Sequence, residues 1–164
     1  MTLRFGIITL SDRSSRGERQ DASGPALASF LKAENCRVLK QVILPDDESA
    51  LRQTLVEWAD GGEMDIILTT GSTGFAPRDI APEATRAVVQ KDAPGLAEVM
   101  RAGSLKKTRH AMLSRAVAGI RGRTLIVNLP GSPRGAVENL GFIFPVLPHA
   151  VQLLNEDPNS EQSH

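Results

Sequence analysis

Cysteine is nearly absent from this chain. Cys36 stands alone, so no intrachain disulfide can form. It lies in the strand-like run Cys36-Arg37-Val38-Leu39, away from any histidine cluster, and reads as a packed or partly exposed spectator thiol. An excess of either charge is absent too: 19 basic and 19 acidic residues give a formal net charge of zero. A basic nucleic-acid footprint over the whole domain is thereby excluded, which leaves room only for a local anion site. No long apolar h-region follows Met1, and no apolar run approaches the roughly 18 residues of a membrane span. The expectation is a cytoplasmic chain with neither membrane nor nucleic-acid partners. Internal repeats are also absent.

What is present fits one α/β domain of 1–154, since 164 residues can bury a core without staples. Four short apolar runs are bounded by turn residues: Phe5 to Thr9, Val38 to Leu44, Asp65 to Thr70 and Thr124 to Leu129. Runs of that kind read as strands buried on both faces. The stretch Ala116 to Ile120, followed by Arg121-Gly122-Arg123, reads as an extra strand turning into the fourth. Helical patterns lie between them. Leu51, Leu55, Trp58 and Ala59 recur at helical spacing after the candidate caps Asp46 and Asp47. Pro25 to Ala33 and Gly95 to Leu105 give two more, and Pro133 to Leu154 one helix that Pro145 and Pro148 divide into two pieces. Strands alternating with helices imply a mostly parallel, Rossmann-like sheet covered on both faces. The polar tail 155–164 has no core-forming residue and is expected to be disordered.

Ligands of such sheets bind beyond the carboxyl ends of the strands. All four runs end there in loops rich in glycine, hydroxyls and acids: Leu10 to Gly17, Pro45 to Glu48, Thr70 to Asp79 and Pro130 to Arg134. In the third loop, Gly71 and Gly74 let backbone amides approach an anion, and Ser72 and Thr73 add hydroxyls. It is neither a Walker loop nor a dinucleotide fingerprint, and a tight turn needing glycine for geometry alone is an equal reading. Asp46 and Asp79 both follow strand ends, a pairing that suits Mg²⁺. Helix capping is the alternative for each, and an Asx turn is the alternative for Asp12. The fourth loop, Pro130-Gly131-Ser132-Pro133, could receive a phosphate at a helix N-terminus or simply turn and cap. Arg78, Arg115 and Arg134 are candidates to pair with phosphates, or solvated surface charges. His110 has no partner in the pattern and reads as structural.

With those residues in view, the chain resembles the molybdopterin adenylyltransferase family, which includes the bacterial Mog proteins and the G domains of gephyrin and its plant relatives. The resemblance runs through Ile8 to Asp12, Leu44-Pro45-Asp46, Leu68 to Asp79 with Pro82 to Thr85, Met112 to Gly122, and Asn128 to Pro133. It implies a three-layer α/β/α, Mog-like fold, usually a homotrimer. The activity it implies is transfer of AMP from Mg²⁺-ATP to the terminal phosphate of molybdopterin, with release of pyrophosphate. A separate MoeA-like molybdenum-insertion protein would take the product. Carried across by motif, Asp46 and Asp79 match the family's functional aspartates and would hold Mg²⁺ or orient phosphates. Gly71, Ser72, Thr73 and Gly74 match its glycine loop, and Pro130, Gly131 and Ser132 its second substrate loop. Ser11, Asp12, Ser114 and Asn128 are expected as polar contacts to nucleotide or pterin. Two positions depart from the family pattern. Ser72 replaces a glycine, which is costly if φ is positive there. Ala81 replaces a threonine, removing an expected N-cap hydroxyl at a cost of about 0.5–2 kcal/mol. The rival readings are a MoaB-like relative without clear catalysis, a non-catalytic oligomeric scaffold, and an α/β module with another substrate.

Overall fold

A computed structural model describes residues 1–163. Its centre is a six-stranded sheet in the order β2-β1-β3-β6-β5-β4. The four expected strands are β1 (Arg4–Leu10), β2 (Arg37–Leu44), β3 (Ile66–Thr70) and β6 (Thr124–Leu129), and they run parallel to one another. The extra strand is β5 (Ala118–Arg121), joined to β6 in an antiparallel hairpin through Gly122, whose φ of +58° suits glycine. The two-residue β4 (Lys91–Asp92) closes that edge. It was too short to register as a pattern in the sequence.

Side-chain alternation assigns the two faces. Phe5, Ile7, Ile66, Leu68, Leu125, Val127 and Leu129 point into one core cluster. Covering it are α2 (Ser23–Ala33), α5 (Pro94–Leu105), α6 (Pro133–Ile143) and α7 (Leu147–Leu154). Ile8, Leu10, Ile67 and Ile126 point into the other cluster, under α3 (Glu48–Asp60) and α4 (Ala81–Val88). The result is three layers, α/β/α. On the second face, Trp58 of α3 packs close to β1 because Gly6 has no side chain: a Cβ there would sit 2.7 Å from the indole.

Two expectations about burial are corrected. The strand β2 pairs only with β1, so it is an edge strand with alternating exposure and Ile43 partly in solvent. Pro133–Leu154 is, by length and composition, apolar enough to cross a membrane, although no such run was expected. In the fold its Ala136, Leu140, Ile143, Leu147 and Val151 are buried in the first core cluster. The two prolines divide it as foreseen: a 3-10 turn, Phe144–Val146, separates α6 from α7. After α7, where a disordered tail was expected, the chain turns into a 3-10 helix, Pro158–Ser163, with Ser160 buried. Residue 164 lies outside the described residues. Cys36 is half-buried against the first cluster, and burial pushes its thiol pKa up, away from reactivity.

Candidate functional site

The four parallel strands end at one edge, and their loops interlock there. From the third strand, the N–H of Gly71 donates to Leu129 O of β6 at 3.1 Å and Thr70 Oγ1 donates to Pro130 O at 2.6 Å. Gly71 has φ +95°, and a Cβ on it would lie 2.6 Å from Leu10 O, so no other residue fits. On its other side a Cβ on Gly131 would meet Gly71 Cα at 3.2 Å. The glycine loop is thus wedged between the ends of β1 and β6.

Two carboxylates on neighbouring loops hold each other's backbone. Asp12 N–H donates to Asp46 Oδ2 at 3.1 Å, and Asp46 N–H donates to Asp12 Oδ1 at 3.0 Å. Arg78 locks this clasp with Nε on Asp12 Oδ2 at 2.5 Å, and Nη2 on Asp12 Oδ1 at 3.0 Å and Asp46 O at 3.2 Å. The Arg78 guanidinium and the Asp46 N–H hold the Asp12 carboxyl below its ordinary pKa. Helix α3 is capped by Asp47, whose Oδ1 accepts from Ala50 N–H at 2.7 Å. Asp46 is therefore free of capping duty.

The loop from Gly74 to Asp79 is held from outside by Arg115. Its Nε donates to Gly74 O at 2.7 Å, its Nη2 to Asp79 O at 3.0 Å, and its Nη1 pairs with Glu83, whose carboxyl is thereby held below its ordinary pKa. Asp79 does not cap α4 either. Its Oδ2 accepts from Ala76 N–H at 3.0 Å, closing the turn. The N-cap of α4 is Ile80, and its N–H donates to Ser72 Oγ at 2.8 Å. Ala81 is consequently the first residue of the helix, which has no side-chain cap; Ser72 Oγ holds the N–H of the residue before it instead. Ser72 itself has φ +60°, the strained case, and its hydroxyl also donates to Arg78 O at 3.3 Å.

Two cavities open along this edge. A polar one of about 390 Å³ is bounded by Ser11, Asp46, Gly71, Ser72, Asp79, Gly131 and Ser132. A second of about 290 Å³ is bounded by Thr73, Gly74, Ser104, Leu113, Ser114, Pro130 and Asn139. Ser132, the cap of α6 whose Oγ accepts from Gly135 N–H at 3.1 Å, borders both. Eleven of the thirteen site residues expected from the sequence line one or other cavity.

The other two do not. Asp12 lines neither, since its carboxylate faces Arg78 and the Asp46 backbone. Asn128 is fully buried on the α4 side of β6, where its amide donates to Thr69 Oγ1 and Thr85 Oγ1, each at 2.9 Å, and its Oδ1 accepts from Val117 N–H at 3.2 Å. With every polar atom engaged it is a sheet-to-helix fastener. The three candidate arginines are also committed to protein partners, Arg78 and Arg115 as above and Arg134 to Glu138. His110 is exposed at the wall of the second cavity beside Thr108. Of the glycine-loop amides, that of Gly71 belongs to the sheet, while those of Ser72, Thr73 and Gly74 have no acceptor among the described residues.

Sequence reasoning missed the segment Arg19-Gln20-Asp21, which forms the polar cavity's remaining wall with Ser23. Asp21 Oδ1 accepts from Gly24 N–H at 3.1 Å at the start of α2, and its Oδ2 from Thr9 Oγ1 at 2.9 Å. The signal was the length of the polar stretch after β1 and the Asp21-to-Gly24 capping spacing.

Nothing among the described residues gathers three or more metal-ligating side chains. The donor chemistry nevertheless fits one hard cation shared with a phosphate ligand. Asp46 and Asp79 each commit Oδ2 to a backbone N–H, leaving Oδ1 of each without a partner among the described residues. Mg²⁺ is ordinarily held by one or two carboxylates together with waters and substrate phosphates.

A three-layer α/β/α fold with a polar crevice at the carboxyl ends of its parallel strands defines a small-molecule-binding protein of the doubly wound kind. The family described as "probable molybdopterin binding domain" matches residues 6–149. The chain belongs to that family. It is 41% identical over 155 residues to the molybdopterin adenylyltransferase of Helicobacter pylori strain J99, covering 93% of this chain and 88% of that protein. It is 42% identical over 158 residues to the molybdenum cofactor synthesis protein cinnamon of Drosophila melanogaster, over 95% of this chain but only 26% of that protein's length. Among solved structures, the molybdopterin biosynthesis enzyme MoaB of Thermus thermophilus superimposes with a TM-score of 0.89 at 50% identity, covering 96% of this chain and 99% of that one.

Proposed function

We propose that this protein is a molybdopterin adenylyltransferase of molybdenum cofactor biosynthesis, transferring AMP from Mg²⁺-ATP to molybdopterin. The observation that carries this reading is the pair of cavities meeting at Ser132 on either side of the glycine loop. One is polar, with two half-engaged carboxylates; the other is more apolar and suits a flat ring system. In the reaction, an oxygen of the molybdopterin terminal phosphate attacks the α-phosphorus of ATP. The new P–O–P bond forms as the α–β bond breaks, and pyrophosphate leaves with the bonding pair. Transfer of this kind depends on positioning and charge neutralisation.

Asp46 and Asp79 would hold Mg²⁺ through their remaining oxygens, and the ion would supply charge neutralisation at the phosphates. The amides of Ser72, Thr73 and Gly74 would meet phosphate oxygens, and Ser132 would stand at the point of encounter between the two substrates. Ser114 and Pro130 border the pterin side, Ser11 and Gly131 the nucleotide side. The working protein would be a cytoplasmic homotrimer that passes its product to a MoeA-like insertion protein.

A second reading draws on the 50% identity to the Thermus MoaB structure: a MoaB-like molybdopterin-binding protein without transfer. Purified protein supplied with molybdopterin, Mg²⁺ and ATP separates the two. Asp79→Asn is the control, because an amide oxygen can still accept from Ala76 N–H and preserve the turn. Molybdopterin-dependent pyrophosphate release in the parent, lost in Asp79→Asn, is the expected result. Binding of both substrates with no release by the parent would favour the second reading.

A further inference from the structure

The polar cavity has an unbalanced charge. Its walls carry three carboxylates, those of Asp21, Asp46 and Asp79, and a single cationic side chain, that of Arg19. A nucleoside triphosphate adds about four negative charges to such a site, so one divalent ion leaves the sum strongly negative. The neighbouring arginines do not correct it: Arg16 pairs with Glu18, Arg78 with Asp12, Arg115 with Glu83 and Arg134 with Glu138, and Arg13 does not line the cavity. Arg19 has no ion pair or hydrogen bond among the described residues, and its side chain is exposed at the rim.

Its position also has a direction. Arg19 lies on the segment between α1 (Asp12–Ser15) and α2, toward the β1–β2 end of the sheet, and borders the polar cavity only. The second cavity lies past the glycine loop toward β6 and α5. In-line displacement at phosphorus puts the attacking and leaving oxygens on opposite sides. A nucleophile arriving from the second cavity therefore drives the leaving group toward Arg19.

We infer that Arg19 binds the β- and γ-phosphates of the nucleotide and stabilises the departing pyrophosphate, making it the residue that distinguishes ATP from AMP in this chain. The inference rests on the transfer reading above. When the α–β bond breaks, the leaving oxygen gains negative charge, and the guanidinium meets it with two N–H donors.

The test compares parent, Arg19→Ala and Arg19→Lys by calorimetric titration with ATP, AMP and inorganic pyrophosphate in Mg²⁺ buffer, followed by steady-state adenylylation. Because Arg19 is exposed and unpaired, neither substitution threatens the fold. Arg19→Ala is expected to weaken ATP and pyrophosphate binding about five- to tenfold and leave AMP within about twofold. Arg19→Lys should restore most of the loss, and added salt should narrow the gap. Equal ATP binding by parent and Arg19→Ala, or an equal loss for AMP, overturns the assignment of Arg19 alone. A parent that binds neither nucleotide overturns the transfer reading and the assignment with it.

Discussion

Asp12 and Asp46 each accept a hydrogen bond from the other's backbone N–H, at 3.0 and 3.1 Å, across 34 residues of sequence. The reciprocity ties the loop after β1 to the loop after β2 and leaves Asp46, a lining residue of the polar cavity, with Oδ1 unpartnered among the described residues. Arg78 joins the third loop to the same clasp through Asp12. Asp12 thus acts on the site through Asp46 and Arg78. Its removal should displace the Asp46 carboxylate without removing any side chain that lines a cavity. Asp12→Ala is expected to lower kcat about ten- to a hundredfold, the scale of an ångström-sized misplacement, with KM for molybdopterin little changed. Asp12→Asn keeps an oxygen for Asp46 N–H and should fall between. Steady-state adenylylation of the three proteins decides it, and an Asp12→Ala enzyme with parent kcat would refute the positioning role.

The same clasp sets an acid limit. Arg78, then the Asp46 N–H, hold the Asp12 carboxyl below its ordinary value of 3.8, and Arg115 holds the Glu83 carboxyl below its ordinary 4.5. A carboxyl whose pKa is depressed by folding stabilises the native state fully above the unfolded value, and that stabilisation is lost as pH falls through the folded value. Stability should therefore be level from neutral pH to about pH 5 and decline below it. Urea midpoints measured from pH 7 to pH 3 check this. The double variant Asp12→Asn, Glu83→Gln should start lower and show a shallower acid decline. An unchanged slope would place the acid sensitivity elsewhere.

What the sequence made legible followed from local pattern. Short apolar runs bounded by polar or turn residues located β1, β3 and β6, and the rule that ligands gather past strand ends brought Asp46, Asp79 and the loop at 71–74 to one edge. What escaped was pairing at a distance. Arg78 meets Asp12 across 66 residues, and Arg115 reaches Glu83 across 32, so neither arginine could be separated from a phosphate ligand by spacing alone. Asn128, expected as a ligand contact from the family resemblance, lies elsewhere for a different reason: alternation from Ile126 turns it to the α4 face, away from both cavities. The family departures at Ser72 and Ala81 meet at one place, because the Ser72 hydroxyl accepts from the N–H of Ile80, the residue just before Ala81.

That link makes Ser72 a test of two opposing terms. A non-glycine residue in the left-handed region costs roughly 1–2 kcal/mol, and the Ser72 hydroxyl returns about 1 kcal/mol by bonding Ile80 N–H. Ser72→Gly removes both and should shift stability by less than about 1 kcal/mol. Ser72→Ala keeps the strained backbone and loses the bond, so it should destabilise by about 1–2 kcal/mol. Urea unfolding of the pair decides it: a Ser72→Ala protein as stable as its parent would show that the hydroxyl does not support α4.

Asn128 separates a fastener from a ligand most sharply. Its side chain joins β6 to Thr69 of β3, to Thr85 of α4 and to the N–H of Val117, which has no other acceptor among the described residues. Truncation to alanine leaves the part-buried Val117 N–H and the buried Thr69 and Thr85 hydroxyls without this partner and opens a small polar void between sheet and helix. The expected loss is about 2–4 kcal/mol of stability, the range for breaking a buried hydrogen-bond network. Asn128 lines neither cavity, so the Asn128→Ala protein that remains folded should keep KM for ATP and for molybdopterin within about twofold of the parent. Thermal unfolding and steady-state kinetics on one preparation give the two readouts. A stable Asn128→Ala protein with a tenfold rise in either KM would return Asn128 to the ligand-binding role that the family resemblance implies.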